Sequence, residues 1–322
     1  MSDSASARAL QRLGSISIDV DGIDCYHAIH GLPPAERDPI YDKALPRFLD
    51  AVEAIGAKAT LFVIGQDLEH DGRRDVIRRA AEAGHEIASH SYAHDYSLSV
   101  ASPAAIDADL TRAADVIEDV TGRRPRGFRA PGYNQSEALF DALERQHVTY
   151  DSSFFPTPAY FAARAAALLK YRLTGRTSQS LVGDVREFAS RRDPFFPSRD
   201  RRFRRARQGA RRSFVELPMT VSSPLRMPWL GTTVALFPDV ASRALTEAVV
   251  QRRGPVVLEL HGMEFLGADD GVDDALVQAQ PDLQVPLDDK LRRLQTTFER
   301  LAAKRQVVPM DEMAATARDA LH

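Results

Sequence analysis

With 322 residues, 44% apolar and 27% charged, the chain is large enough to bury one big α/β core or two ordinary ones, and its composition excludes a disordered protein. A formal net charge of -3 argues against nucleic acid as a global partner, and a single cysteine, Cys25, excludes an internal disulfide and fits a reducing compartment. The opening MSDSASARALQRLG has no apolar core of signal-peptide length and no later run is long enough to cross a bilayer, so a cytoplasmic protein is expected.

The first element is SISIDVDG at 15–22, an alternating β-branched run that ends in Asp19, Asp21 and a glycine. Carboxylates at the exit of a buried strand are costly without a partner, and a metal ion is the usual one. Further strands are expected near 58–64, 85–89, 126–130, 148–151, 214–219, 255–260 and 306–309. Helical patterns fall at 42–55, 73–83, 103–121, 136–146, 239–252 and 287–304. Ser102 and Pro103 mark the start of the third as N-cap and first helical residue. Alternating β and α implies a mostly parallel sheet, open or closed into a barrel.

Between Phe155 and Ser213 the rhythm breaks. A helix-like PAYFAARAAALLKYRL gives way to a run from Arg186 to Arg212 with eleven arginines and three acids. Without a core of its own, 156–212 reads as an insertion within one domain spanning 1–322.

Three further segments carry chemistry. In GHEIASHSYAHD, His90 and His94 are four apart, so one helical turn would put both imidazoles on one face. Two histidines and a carboxylate form a common catalytic metal set, although such pairs also occur on solvated helices. In RGFRAPGYN, a Pro-Gly turn after a strand can expose a backbone N–H, and Arg129 can fix a nearby carboxylate. In VVLELHGMEF, His261 ends an apolar strand, where barrel enzymes carry catalytic groups. His27 and His30, just past the first strand, are candidates for lining the cleft mouth, as are Tyr133 and Glu264.

In this order, Asp19/Asp21, His90/His94, RAPG, YDSS and LELHG resemble the polysaccharide deacetylases, the NodB-homology group of carbohydrate esterases (family 4). The resemblance covers about 15–154 and returns at 213–265; the long insertion is outside it. Many members have adjacent aspartates where a valine intervenes here, a spacing found in some intracellular members. The implied fold is α/β, a distorted (β/α) barrel of the NodB type with an inserted helical, Arg-rich arm. The resemblance also implies that Asp21, His90 and His94 hold a divalent ion, zinc first, with Co2+, Ni2+, Mn2+ or Fe2+ as alternatives. Asp19 would be the base, oriented by Arg129, with the Gly132 N–H beside the oxyanion. His261 would be the acid, with Asp151 holding its ring. The implied reaction is hydrolysis of an N-acetyl or N-formyl group from an amino sugar.

Two other readings stay open. IDVDGID fits the first motif of a haloacid dehalogenase-type magnesium phosphatase, which has no use for the two histidines, Arg129 and His261 in this order. A sugar-binding module of the same fold without turnover is the other. Within the insertion, Phe161, Ala165, Leu168 and Leu169 share a helical face flanked by Arg164 and Lys170. With the arginine run this resembles a segment lying on an anionic membrane surface, as in the lipid-linked aminoarabinose deformylase branch. A glycolipid substrate and a peripheral position on the inner membrane face follow as expectations, with no nucleic acid.

Overall fold

The structure is a computed structural model that describes residues 3–322 apart from 161, 163, 167–189 and 207–209. Eight strands fall where the apolar runs place them: β1 Leu13–Val20, β2 Thr60–Val63, β3 Glu86–Ser89, β4 Gly127–Phe128, β5 Tyr150–Asp151, β6 Val215–Glu216, β7 Val256–His261 and β8 Gln306–Val307. All pair in parallel, in the order β6-β5-β4-β3-β2-β1-β7, with β8 beside the start of β1. The sheet curls into a distorted (β/α) barrel. Between β6 and β7 the ladder is replaced by irregular links: the Thr220 N–H donates to the Val257 carbonyl (3.2 Å), and the Val257 N–H to the Thr220 hydroxyl (2.8 Å).

Every residue of β1 is buried, which explains its near-continuous apolar and small composition. Ile16, Ile18 and Val20 face outward into the largest apolar core, shared with Leu258 and Leu260 of β7. There they meet Leu45 and Phe48 of α3 (Leu45–Glu53) and Leu294 and Phe298 of a long helix, Leu287–Lys304. With a side-chain period of two, the alternate residues Ser17 and Asp19 of β1 share the opposite face, as do Val257, Glu259 and His261 of β7. The lower interior is closed by Leu10, Phe62, Tyr150, Val257, Met310 and Met313, contributed in part by the helices Asp3–Leu10 and Met310–Leu321. Gly127 is obligatory in this plug, because a Cβ there would lie inside the van der Waals surface of the Tyr150 ring.

Helices α4 (Asp71–Glu82), α5 (Pro103–Thr121) and α6 (Glu137–Arg145) flank the sheet. Ser102 caps α5 as its sequence implies, accepting from the Ala105 N–H at 3.3 Å. Helices at Asp3–Leu10, Ile23–His30 (α2), Gly231–Leu236, Asp274–Ala279 and Met310–Leu321 were not expected.

The expected membrane face falls partly on Phe161, Leu168, Leu169 and Lys170, which lie outside the described residues. Of the arginine run, Arg212 is buried and donates to Asp141 (2.7 Å), Glu137 (2.8 Å) and Glu144 (3.0 Å) of α6. Arg199 pairs with Glu144 and Arg202 with Glu137. These three guanidiniums are engaged by the acids of α6. No helix among the described residues is long and apolar enough to cross a membrane.

Candidate metal centre

Asp19 is the last inward-facing residue of β1, and Asp21 follows its end. The corner turns at Gly22, where a Cβ would sit 2.9 Å from Asp38 Oδ2 and 3.0 Å from Asp67 Oδ2. Arg73 bridges those two carboxylates at 3.1 and 2.7 Å, and Asp38 accepts from the Ile23 N–H that opens α2 (3.2 Å). The Asp21 corner is therefore held from outside by an ion-paired clamp.

His90 and His94 do meet, but not on a helix. Both lie in the loop after β3, where Ser91 and His94 take positive φ (65° and 51°), and the Ser91 hydroxyl accepts from the His94 N–H at 3.0 Å. Their ring centroids are 4.9 Å apart. One ligand atom from each of Asp21, His90 and His94 lies within 4.8 Å of the others. Asp21 Oδ1 is 3.5 Å from both Nε2 atoms.

The donor set fits a cation. His90 Nδ1 is 2.8 Å from the Arg129 carbonyl, which can only accept, so Nδ1 carries the proton and the Nε2 lone pair faces Asp21. Burial lowers the pKa of both rings, that of His94 to about 4, which keeps them neutral. Burial also pushes the Asp21 carboxyl up, against the pull of His90, and its Oδ1 has no hydrogen-bond partner. Three buried acceptors converging without a donor are costly, and a bound divalent ion would satisfy them.

Asp19 has the opposite environment. Burial raises its pKa, but the guanidinium of Arg129, 2.5 Å from Oδ1, together with His90 and His261, leaves the carboxyl below its ordinary value. Arg129 is itself fully buried, donates to Ser17 (3.0 Å) and to the Ser152 carbonyl (2.9 Å), and lies 4.0 Å above the Phe62 ring. An ionised, oriented carboxylate beside the metal set is the result.

His261 is paired differently from the expectation. Its Nδ1 lies 3.1 Å from Glu259, two residues earlier on the same inner face. Glu264 accepts from the His261 backbone N–H and from the Thr232 hydroxyl (2.6 Å). Burial would depress the imidazole, yet Glu259 and then Glu264 raise it to about 10. Asp151, expected to hold this ring, instead accepts from Ser153 at 2.6 Å, and its carboxyl is raised by burial to about 6 against a hydrogen bond with Glu216. Glu259 escaped the sequence reading. Its only signal is an acid alternating with His261 inside an otherwise apolar strand.

A cavity of about 630 Å³ opens over this centre, and Gly132, Tyr133 and Glu264 line it as expected. Gly132 has φ +57°, and a Cβ there would meet the Tyr96 ring at 2.5 Å. Arg164 of the arm donates to the Gly132 carbonyl at 2.7 Å. His30 reaches the cleft through Gln280, 2.8 Å away. His27 does not line it: the ring is buried between the Pro33 carbonyl and Asp273 and stabilises a loop.

Fold and centre define a curled (β/α)-barrel protein with a candidate metal site at the carboxyl ends of its strands. Residues 37–150 match the family described as polysaccharide deacetylase. The matched span includes His90, His94 and Arg129, while Asp19, Asp21 and His261 lie outside it. A protein of Arthroderma benhamiae named as a probable peptidoglycan-N-acetylglucosamine deacetylase is 37% identical over 99 residues, 30% of this chain and 22% of that protein. A Helicobacter pylori peptidoglycan deacetylase is 28% identical over 119 residues, 36% of this chain and 40% of the other. The chain thus matches less than half the length of these curated relatives. A provisionally assigned polysaccharide deacetylase from Mycobacterium smegmatis shares the fold, with TM-score 0.57 and 18% identity over 98% of this chain and 93% of its own.

Proposed function

We propose that the chain is a metal-dependent hydrolase that removes an N-acyl group, acetyl or formyl, from an amino sugar. One observation carries the reading: the orphaned Asp21 Oδ1 facing two neutral imidazoles, with an ionised Asp19 and a protonated His261 on either side. A divalent ion held by Asp21, His90 and His94 supplies Lewis acidity, lowering the pKa of water from about 16 toward 7.

The side chains divide the proton work. Asp19, kept ionised by Arg129, takes the proton of the attacking water. The N–H of Gly132, a residue of the cleft wall, would stabilise the oxygen that gains charge, where loss of one donor costs ~3 kcal/mol. His261, kept protonated by Glu259 and Glu264, gives its proton to the departing amine. Zinc is the ion we favour from the two-imidazole, one-carboxylate set. We also treat 1–322 as one domain carrying 156–212 as an insertion, and place the protein in the cytoplasm.

Metal analysis of the purified protein, with amide hydrolysis assayed on N-acetylglucosamine oligomers in zinc or cobalt, tests this. Magnesium-dependent phosphate release that is lost in Asp19→Asn would support the phosphatase instead. Sugar binding without turnover would support an inactive module.

A further inference from the structure

We infer that the molecule cleaved in this cleft carries an alkyl or aryl group beside the scissile amide, and is not an interior unit of a hydrophilic glycan strand. The inference rests on the hydrolase reading above and concerns which N-acylated amines that site selects.

Its ground is the wall of the cavity. Above the centre, α2 contributes Tyr26 and Ile29, the loop after β4 contributes Tyr133, the start of the arm contributes Tyr160, and the segment around Gly231–Leu236 contributes Leu230 and Phe237. These come from four separate parts of the chain, so the apolar lining is not one continuous segment. At about 630 Å³ the cavity is of the size that encloses most of a small ligand.

Several polar groups along the same wall are engaged with one another or with the backbone. Glu264 accepts from the Thr232 hydroxyl and the His261 N–H, and Gln280 is bonded to His30. Arg164 donates to the Gly132 carbonyl and the Tyr160 hydroxyl. The Tyr26 hydroxyl is buried with no hydrogen-bond partner among the described residues. A pyranose ring presents a hydroxyl on almost every carbon, and each one buried without a partner lowers affinity. An alkyl or aryl group gains from the same surface, while the Tyr26 hydroxyl orients one polar atom of the ligand.

The test uses the full chain loaded with zinc or cobalt. Its ligands are free N-acetylglucosamine, the N-acetylated tetramer, and the octyl and phenyl β-glycosides of the monomer. The expected result is a kcat/KM for the octyl or phenyl glycoside at least tenfold above the free sugar, with the tetramer no better than the free sugar. Phe237→Ser should lower that ratio at least threefold. A tetramer cleaved faster than both glycosides, or equal rates across the series, overturns the inference and leaves the hydrolase reading standing. Calorimetric affinities for the same ligands read the cleft without turnover. If no amide is cleaved, tighter binding of the octyl glycoside than of the tetramer supports the apolar selectivity while the hydrolase reading fails; the reverse order overturns it.

Discussion

Asp19 and His261 are direct partners in the parallel ladder between β1 and β7. The proposed base and acid are therefore set side by side by strand register, and a slip of one residue would turn either to the outer face. Because Asp19 stands outside the metal set, Asn at this position separates catalysis from metal binding. Asp19→Asn should lower kcat/KM by roughly 10²–10⁴-fold while metal content stays stoichiometric by elemental analysis.

Glu259 is the buried carboxyl nearest His261, itself raised by burial to about 7, and its influence is first among those that raise the imidazole to about 10. Gln at this position removes the charge but keeps the shape. An acid must be protonated to act, so the alkaline limb of the pH–rate profile for Glu259→Gln should move to lower pH, with kcat down roughly 10–100-fold. A limb that stays in place rejects the assignment of Glu259 as the residue that positions and charges His261.

The three converging acceptors make folding and metal binding linked quantities. Chelation should lower the Tm of the native protein, and re-addition of zinc should restore it, by about 2.7 kcal/mol of stability at one hundred times Kd. In Asp21→Ala the response to added zinc should largely disappear, as seen by differential scanning calorimetry.

Glu86 supplies a pH effect far from the centre. It begins β3, accepts from Thr60 (2.7 Å), Tyr150 (2.8 Å) and the Asp311 N–H (3.0 Å), and burial raises it to about 7. A carboxyl raised in the folded state holds its proton more tightly there than in the unfolded chain. Its contribution to stability is thus greatest below its unfolded value near 4.5, falls as pH rises through about 7, and is level above. Glu86→Gln should flatten urea midpoints between pH 5 and 8 and raise stability at pH 8 by roughly 1–3 kcal/mol.

Arg212 is 2% exposed and faces three carboxylates of α6. Arg212→Met should destabilise the protein by roughly 3 kcal/mol, since it leaves acids clustered without their cation. Partial recovery on adding Glu144→Gln would identify charge, and not lost packing, as the cause.

The strands were legible because each is a short apolar run bounded by turn residues, and the parallel order followed from the intervening helices. The site residues were visible as types in order, but two relationships were not. The HxxxH spacing suggests a helix, whereas Ser91 and His94 adopt left-handed backbone in a loop, a conformation that sequence spacing does not encode. Glu259 alternates with apolar neighbours, which ordinarily signals a solvent-facing residue. In this barrel the apolar set faces the helices and the polar set faces inward, so the same alternation has the opposite meaning. Helix α2 was obscured by its histidines, and Met310–Leu321 by its place after the last strand.

The contact between Arg164 and the Gly132 carbonyl links the segment after β5 to a peptide of the cavity wall. A shift of the arm by a fraction of an ångström is transmitted along that one guanidinium. A substitution in that segment can thereby reach the cavity wall while β1, β3 and β7 remain unaltered.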